Sequence, residues 1–138
     1  RPRPTDAQIA FLIARFVEDI RSLSTDPVVV RTKWSRAYAM ATELGVDALS
    51  RYAINSGRFT KIGTRAIIAN VTSVVRASDE AFEVHWQELT YEDGAPISTK
   101  RLIGHVTVMF KEPGPGAVTI LNDSSLGAYV DKFDFRGL

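Results

Sequence analysis

The stretch FEVHWQELTYEDG, residues 82–94, decides the class of fold. Apolar and polar side chains alternate along most of it, which is the period-two pattern of a strand with one buried face. We predict a strand over Phe82–Tyr91 whose core-facing residues are Phe82, Val84 and Trp86. Glu92-Asp93-Gly94 is typical of a hairpin turn, so the next strand should run back beside this one.

The length of this hairpin loop follows from keeping the apolar faces of the two strands together. A two-residue loop at Asp93-Gly94 would place Trp86 opposite Arg101, a core residue opposite a polar one. An odd loop length avoids the mismatch. We therefore expect the three-residue loop Glu92-Asp93-Gly94, with Gly94 in the left-handed conformation.

Three further segments show the same alternation. In residues 64–77, one face of the predicted strand carries Ile67, Ala69, Val71 and Val75. In Ile97–Lys111, one face carries Leu102, Val106, Val108 and Phe110. The last strand is predicted over Ala128–Phe135, with large side chains at Tyr129, Phe133 and Phe135. Between these two strands, residues 113–125 indicate a tight Pro-Gly connection, a brief apolar run and a loop.

The residues before Gly63 follow the helical period instead. Thr5 and Gln8 form a capping-box pattern at the start of a first helix. Apolar residues then recur at the spacing of an amphipathic helix: Ile9, Leu12, Ile13, Phe16, Val17, Ile20 and Leu23. Ser24-Thr25 breaks this pattern and should end the helix.

A second helix is predicted to begin at Asp26-Pro27, since Asp is a good N-cap and Pro suits the first helical position. We expect Gly45 to lie just past its end. The buried stripe of this helix should be Val30, Trp34, Ala37, Tyr38, Ala41 and Leu44. A short third helix is predicted over Asp47–Ile54, burying Leu49, Tyr52 and Ala53.

Helices over residues 5–56 followed by a meander over residues 64–136 predict an α+β fold. We expect the N-terminal helices to pack on a curved antiparallel sheet of about four strands, in the order of cystatin-like and nuclear-transport-factor-like cones. A length of 138 residues fits one domain, residues 1–138.

Composition narrows the class of protein. The chain has 17 Lys and Arg against 16 Asp and Glu, and this balance argues against a dedicated nucleic-acid binder. It has no cysteine, which excludes disulfides, thiolate nucleophiles and cysteine-based zinc sites. No apolar run approaches the ~18 residues of a membrane span, and no signal peptide is visible. Because the chain opens on Arg1 without an initiator Met, we interpret it as a fragment or a processed product.

Two histidines are the first candidates for chemistry. His85 and His105 fall on strand faces opposite the apolar set, where a shared metal ion is conceivable. Glu83 is the sole carboxylate evidently placed with them. A solvated sheet face is the favoured interpretation, so we predict no metal site and no cofactor.

A small basic cluster, Arg58, Lys61 and Arg65, lies before the first strand. The segment is not a P-loop, because Gly63 is followed directly by Thr64 and not by a lysine. A solvated loop is the default interpretation, and a phosphate or an acidic partner is the alternative.

The prediction for catalysis rests on the inward-facing strand positions. Glu88 is the sole carboxylate on the inward parity of the second strand, and an acid–base enzyme of this fold would need convergent polar groups in an apolar cavity. We predict no catalytic residues. A small-molecule-binding or isomerase-like cone domain remains the alternative function, and it requires such a cavity.

Phe11 does not fit the stripe of the first helix. At ~100° per residue it falls opposite the buried residues, on the side that carries Ala7, Ala14 and Glu18. An aromatic flanked by small residues suits a partner surface. A singly exposed aromatic, or one covered by the N-terminal arm or a loop, is the other interpretation.

Several segments together resemble the VirB8-like family of type IV secretion components, in particular its conjugal-transfer members. They are Thr5–Ala10, Ala14–Arg31, Trp34, Ala37-Tyr38, Val71–Asp79, Trp86, Glu88, Thr90–Glu92, Gly94, Leu126-Gly127, Tyr129-Val130 and Phe133. The resemblance covers nearly the whole chain, and its first long block is the most specific part.

This resemblance implies a periplasmic domain behind one N-terminal transmembrane helix, in the bacterial inner membrane. It implies a non-catalytic scaffold whose partners are other channel subunits and further copies of itself, with no small-molecule substrate and no cofactor. The candidate protein interface is Phe11, Ala14, Glu18, Leu126, Gly127 and Tyr129.

One departure from the family concerns the turn before the last strand. The family's usual Asn-Pro-Leu-Gly is here Ser124-Ser125-Leu126-Gly127. Because proline would fix φ in that turn, its absence predicts a looser one.

Overall fold

The computed structural model of the protein describes residues 3–111 and 127–138. Three helices come first: α1 (Asp6–Arg21), α2 (Pro27–Ala39) and α3 (Glu43–Asn55), followed by a 3₁₀ turn (Arg58–Lys61). Four strands follow: β1 (Arg65–Arg76), β2 (Ala81–Glu92), β3 (Ala95–Phe110) and β4 (Ala128–Gly137). The predicted connection over residues 113–125 lies outside the described residues.

The strands form one antiparallel sheet in the order β1-β2-β3-β4. Helix α1 begins at the predicted capping box: the Gln8 amide donates to Thr5 Oγ1 at 3.2 Å, and the Thr5 amide donates to Gln8 Oε1 at 2.8 Å. Its predicted apolar stripe is buried from Ile9 to Leu23 and forms one core with the inner face of the sheet. The α+β arrangement of helices on one sheet face is confirmed.

The boundary between α2 and α3 differs from the prediction. Helix α2 ends at Ala39, Gly45 lies inside the first turn of α3, and the Leu44 side chain is 47% exposed. The chain leaves the helix because its backbone pairs with β4: the Val130 amide donates to the Met40 carbonyl, and the Thr42 amide donates to the Val130 carbonyl. Tertiary hydrogen bonds therefore override a helical stripe that continues in the sequence.

The β2–β3 hairpin has the predicted pairing but a different loop. Glu92 pairs with Ala95, so the loop has two residues, Asp93 and Gly94, with φ of 49° and 84°. This is the left-handed pair that a tight hairpin turn requires. A register shift after Thr90 then supplies the odd offset that brings Trp86 opposite Leu102. The apolar faces do meet, but a bulge and not a third loop residue aligns them.

A second bulge corrects the predicted face of β1. The register shifts between Val71 and Ser73, which moves every later side chain to the other face. Val74 therefore packs against the core, whereas Val75, predicted to face inward, is 56% exposed.

Candidate functional site

Glu88 is the centre of a buried ionic cluster on the inner face of the sheet. Its side chain is 5% exposed and accepts two hydrogen bonds from Arg21, Nε to Oε2 at 2.5 Å and Nη2 to Oε1 at 3.0 Å. Trp86 Nε1 donates to the same Oε2 at 2.8 Å. A two-point guanidinium–carboxylate contact of this kind is among the strongest in proteins.

The cluster joins four elements of the fold. Arg21 Nη1, at the end of α1, donates to the Tyr52 hydroxyl of α3 at 2.8 Å. Arg58, in the 3₁₀ turn, donates to the Arg21 carbonyl at 2.6 Å and lies 3.7 Å from Glu88 Oε1. Burial disfavours the charged form of Arg21, but its hydrogen bonds to Glu88 and Tyr52 outweigh that effect, so the pKa of Arg21 lies above its ordinary value. Glu88 therefore helps to hold α1, α3 and the 3₁₀ turn on the sheet.

A second buried carboxylate joins the first two helices. Asp19 of α1 is 3% exposed, and Arg36 of α2 donates to both its oxygens, at 2.8 Å and 2.6 Å. Like Glu88, it is fully engaged by a guanidinium. The inward side chains around these carboxylates are large and apolar, among them Phe16 and Trp86, both buried. The convergent polar groups that the small-molecule alternative requires are here paired with one another.

Two of the three residues of the predicted basic cluster are engaged in hydrogen bonds and ion pairs within the protein. Arg58 belongs to the buried cluster above, and Arg65 Nε donates to Glu92 Oε2 at 2.9 Å. Of the three residues, Lys61 alone has no ion pair within the part of the chain that the structure describes. Arg58 and Arg65 are therefore unavailable to a phosphate without breaking these contacts.

The two histidines lie on the outer face of the sheet with two carboxylates. His85 Nε2 is 3.2 Å from Glu83 Oε2, and His105 lies 3.8 Å from Glu83 and 3.7 Å from Asp134. All four side chains are more than a third exposed. Among residues 3–111 and 127–138, no group of three or more His, Asp or Glu is placed to hold a metal ion.

Helix α1 and the two residues that follow it cover the outer edge of β1. The Val71 amide donates to Glu18 Oε2 at 2.9 Å, the Ala69 amide donates to Ser22 Oγ at 3.1 Å, and Leu23 and Ile67 exchange two backbone bonds. At the other end of the helix, a hydrogen bond from Arg76 lowers the pKa of the exposed Asp6. Glu18, predicted to face a partner, thus has an internal role that protects a sheet edge.

The structure describes five of the six predicted interface residues and places them in different layers of the fold. Phe11 is 61% exposed and Ala14 half-buried, both in the helix layer. Tyr129 lies on the outer face of the sheet, since its neighbour Val130 faces the core, and Lys111 Nζ lies 5.0 Å from its ring. Gly127 has the left-handed φ of 75°, and Leu126 lies outside the described residues.

Comparison with known proteins places the sequence in a family. Residues 1–135 match the VirB8 protein family. The chain belongs to this family. The conjugal transfer protein TrbF of Rhizobium radiobacter is 25% identical over 126 residues, which are 89% of this chain and 56% of TrbF. The chain therefore spans about half the length of that relative.

Two solved structures share this fold. The VirB8 protein of Agrobacterium tumefaciens superposes with a TM-score of 0.80 at 10% identity, covering 99% of this chain and 96% of that one. The TrwG component of Bartonella birtlesii superposes with a TM-score of 0.75 at 11% identity, covering 93% and 89%. Both confirm the predicted nuclear-transport-factor-like α+β cone.

Two further family features were predicted from the sequence, the turn before the last strand and an N-terminal transmembrane helix. Ser124, Ser125 and Leu126, which replace most of the family's Asn-Pro-Leu-Gly turn, are outside the described residues. In the two stretches that the structure describes, no helix is both long and apolar enough to cross a membrane.

Proposed function

We propose that this VirB8-family chain is the periplasmic part of a non-catalytic assembly subunit of a type IV secretion channel, serving conjugative DNA transfer. The match of residues 1–135 to the family carries the proposal, and the similarity to a conjugal transfer protein supports its conjugative branch. The subunit would be anchored in the bacterial inner membrane, with other channel subunits and further copies of itself as partners.

The chemistry of the buried polar groups supports a structural role. Glu88 and Asp19 are the buried carboxylates of the described residues, and each is held by an arginine that joins two elements of the fold. A general acid or base needs a carboxyl that is within reach of a substrate. Here both carboxylates serve to fix helices to the sheet or to one another.

The first test is conjugative transfer from a donor that lacks the gene for this protein. We expect transfer to be lost and to return when the full-length gene is supplied in trans, because a channel without an assembly subunit should not form. Transfer frequency per recipient is the measurement. Normal transfer from the deletion strain would contradict the proposal and would favour the small-molecule-binding alternative.

Self-association is proposed to use the exposed side of α1 around Phe11. Its ring is 61% exposed beside the half-buried Ala14, whereas the rest of the helix's large apolar residues are in the core. Exposed aromatics beside small residues are typical anchors of protein interfaces. Glu18, lower on the same side, already accepts a bond from β1, so the anchor is Phe11 and not the carboxylate.

Phe11→Asp should weaken self-association by about 30-fold, since losing a central aromatic anchor costs about 2 kcal/mol. Sedimentation equilibrium of the chain measures the dissociation constant. The matched control is Ile54→Asp, which changes an apolar residue of α3 that is 79% exposed. We expect the control to self-associate as the unaltered chain does. Equal weakening by both changes, or loss of the folded state in Phe11→Asp, would rule out this interface.

A further inference from the structure

An open groove runs between α2 and the 3₁₀ turn. Its volume is about 410 Å³, and its apolar lining consists of Pro27, Val30, Trp34, Tyr38, Phe59 and Ile62. Trp34 forms the floor, 6% exposed, and the Phe59 ring lies 5.0 Å from it and is 40% exposed. An exposed aromatic beside a buried one leaves room for a third side chain against both.

The floor of the groove is held in place from below. The Trp34 ring stacks on Tyr52 with centroids 6.1 Å apart and planes 20° apart. The Tyr52 hydroxyl accepts a hydrogen bond from Arg21 of the buried cluster. A rigid aromatic surface loses little conformational entropy on binding, which favours a preformed site.

One residue that lines the groove, Arg31, is cationic, and a second cation, Lys61, is close to the lining in sequence. Lys61 lies between the lining residues Phe59 and Ile62. Both side chains are exposed and neither has an ion pair within residues 3–111 and 127–138. The one carboxylate at the start of α2, Asp26, is engaged in capping the helix through the Val28 amide at 2.9 Å.

We propose that this groove binds a short acidic, amphipathic peptide segment of another subunit. An aromatic or leucine side chain of the segment packs against Trp34 and Phe59, and its carboxylates pair with Arg31 and Lys61. The charge complementarity selects an acidic partner over a basic one. The assignment of the segment to a channel subunit rests on the proposed function, whereas the binding chemistry does not.

The binding chemistry is tested with two synthetic ten-residue peptides, one of glutamate pairs alternating with leucine and phenylalanine, the other with lysine in place of glutamate. Trp34 is the reporter, because Trp86 is 1% exposed and out of contact with the groove. We expect the acidic peptide to shift the tryptophan emission saturably and the lysine peptide to leave it unchanged. R31E/K61E should bind the acidic peptide at least about tenfold more weakly and should gain affinity for the lysine peptide.

The matched control reverses two exposed charges on β4, K132E/R136E, and should bind the acidic peptide as the unaltered chain does. Equal binding of both peptides, or equal loss in both double variants, would overturn the groove. A third result would also overturn it: the chain binds phosphatidylglycerol vesicles but neither peptide, and R31E/K61E abolishes the vesicle binding. The surface would then be one that binds lipid.

The partner assignment is tested separately in donor cells. A full-length gene carrying R31E/K61E should fail to restore transfer to the deletion strain, whereas K132E/R136E should restore it. Normal transfer by R31E/K61E would overturn the channel partner even if the peptide binds. Normal transfer by the deletion strain itself is a different result. It would contradict the proposed function but would leave the peptide-binding groove unaffected.

Discussion

Replacing Glu88 by alanine should lower the free energy of unfolding by about 3–5 kcal/mol, because it leaves a buried charge without its partner. The Arg21 side chain is 15% exposed, and its Nε and Nη2 both donate to the Glu88 carboxylate. Trp86 Nε1 would lose its acceptor at the same time. Urea denaturation followed by circular dichroism measures the change, and the midpoint should fall without a change in slope.

The matched control is Glu92→Ala on the same strand. Glu92 also accepts a hydrogen bond from an arginine, Arg65 Nε at 2.9 Å, but the two side chains are 36% and 35% exposed. An exposed pair of this kind contributes at most about 1 kcal/mol. If the two alanine variants lose equal stability, burial does not strengthen the Arg21–Glu88 pair and the cluster is not what holds the helices.

Local periodicity was enough to predict most elements of this fold. The capping box at Thr5 and the stripe of α1 depend on neighbours within a few turns of one helix, and the structure has both as predicted. The end of α2 was not predictable in this way. Leu44 continues the helical spacing, but Met40 and Thr42 bond to Val130, a partner in the last strand of the chain. Nothing near α2 in the sequence encodes that pairing.

The bulges mark a second limit of periodicity. Strand alternation predicts faces correctly only while the register is unbroken, and a single extra residue inverts it. In β1 this occurs after Val71, which is why Val75 is exposed while Val74 is packed. The extra residue is Thr72, whose hydroxyl donates to the His85 carbonyl at 3.1 Å. In the sequence, a threonine at a bulge cannot be told from a threonine in a regular stretch of strand.

The buried cluster was half predictable. Strand parity placed Glu88 on the inward side, and an inward carboxylate demands a cation. That cation is Arg21, in the last turn of α1 directly after Ile20, but only the tertiary structure shows that Arg21 and Glu88 meet. The exposure of Phe11 follows from its angle on the helix alone, whereas the α2 groove depends on Phe59, which no periodic pattern includes.

Gly45→Ala should also destabilise the chain, by about 3 kcal/mol, at the top of the usual range for overpacking. A Cβ on Gly45 would lie 2.3 Å from the Val130 carbonyl oxygen and 3.0 Å from Ala41 Cβ. The same oxygen accepts the Thr42 amide at 2.9 Å, so α3 cannot move away from β4 without stretching that bond. Alanine favours a helix over glycine by about 1 kcal/mol, and this gain is too small to offset the contact.

The matched control is Gly137→Ala, which measures the effect of replacing a glycine where no close contact results. Gly137 lies on β4 without a positive φ, and a Cβ added to it would meet no described atom within 4 Å. Alanine there should be neutral or stabilise by up to about 1 kcal/mol. Thermal unfolding of both variants measures the difference in sign. If Gly45→Ala melts at or above the temperature of the unaltered chain, helix propensity outweighs the close approach. The α3–β4 junction would then be adaptable enough to relieve the contact between Gly45 and the Val130 carbonyl.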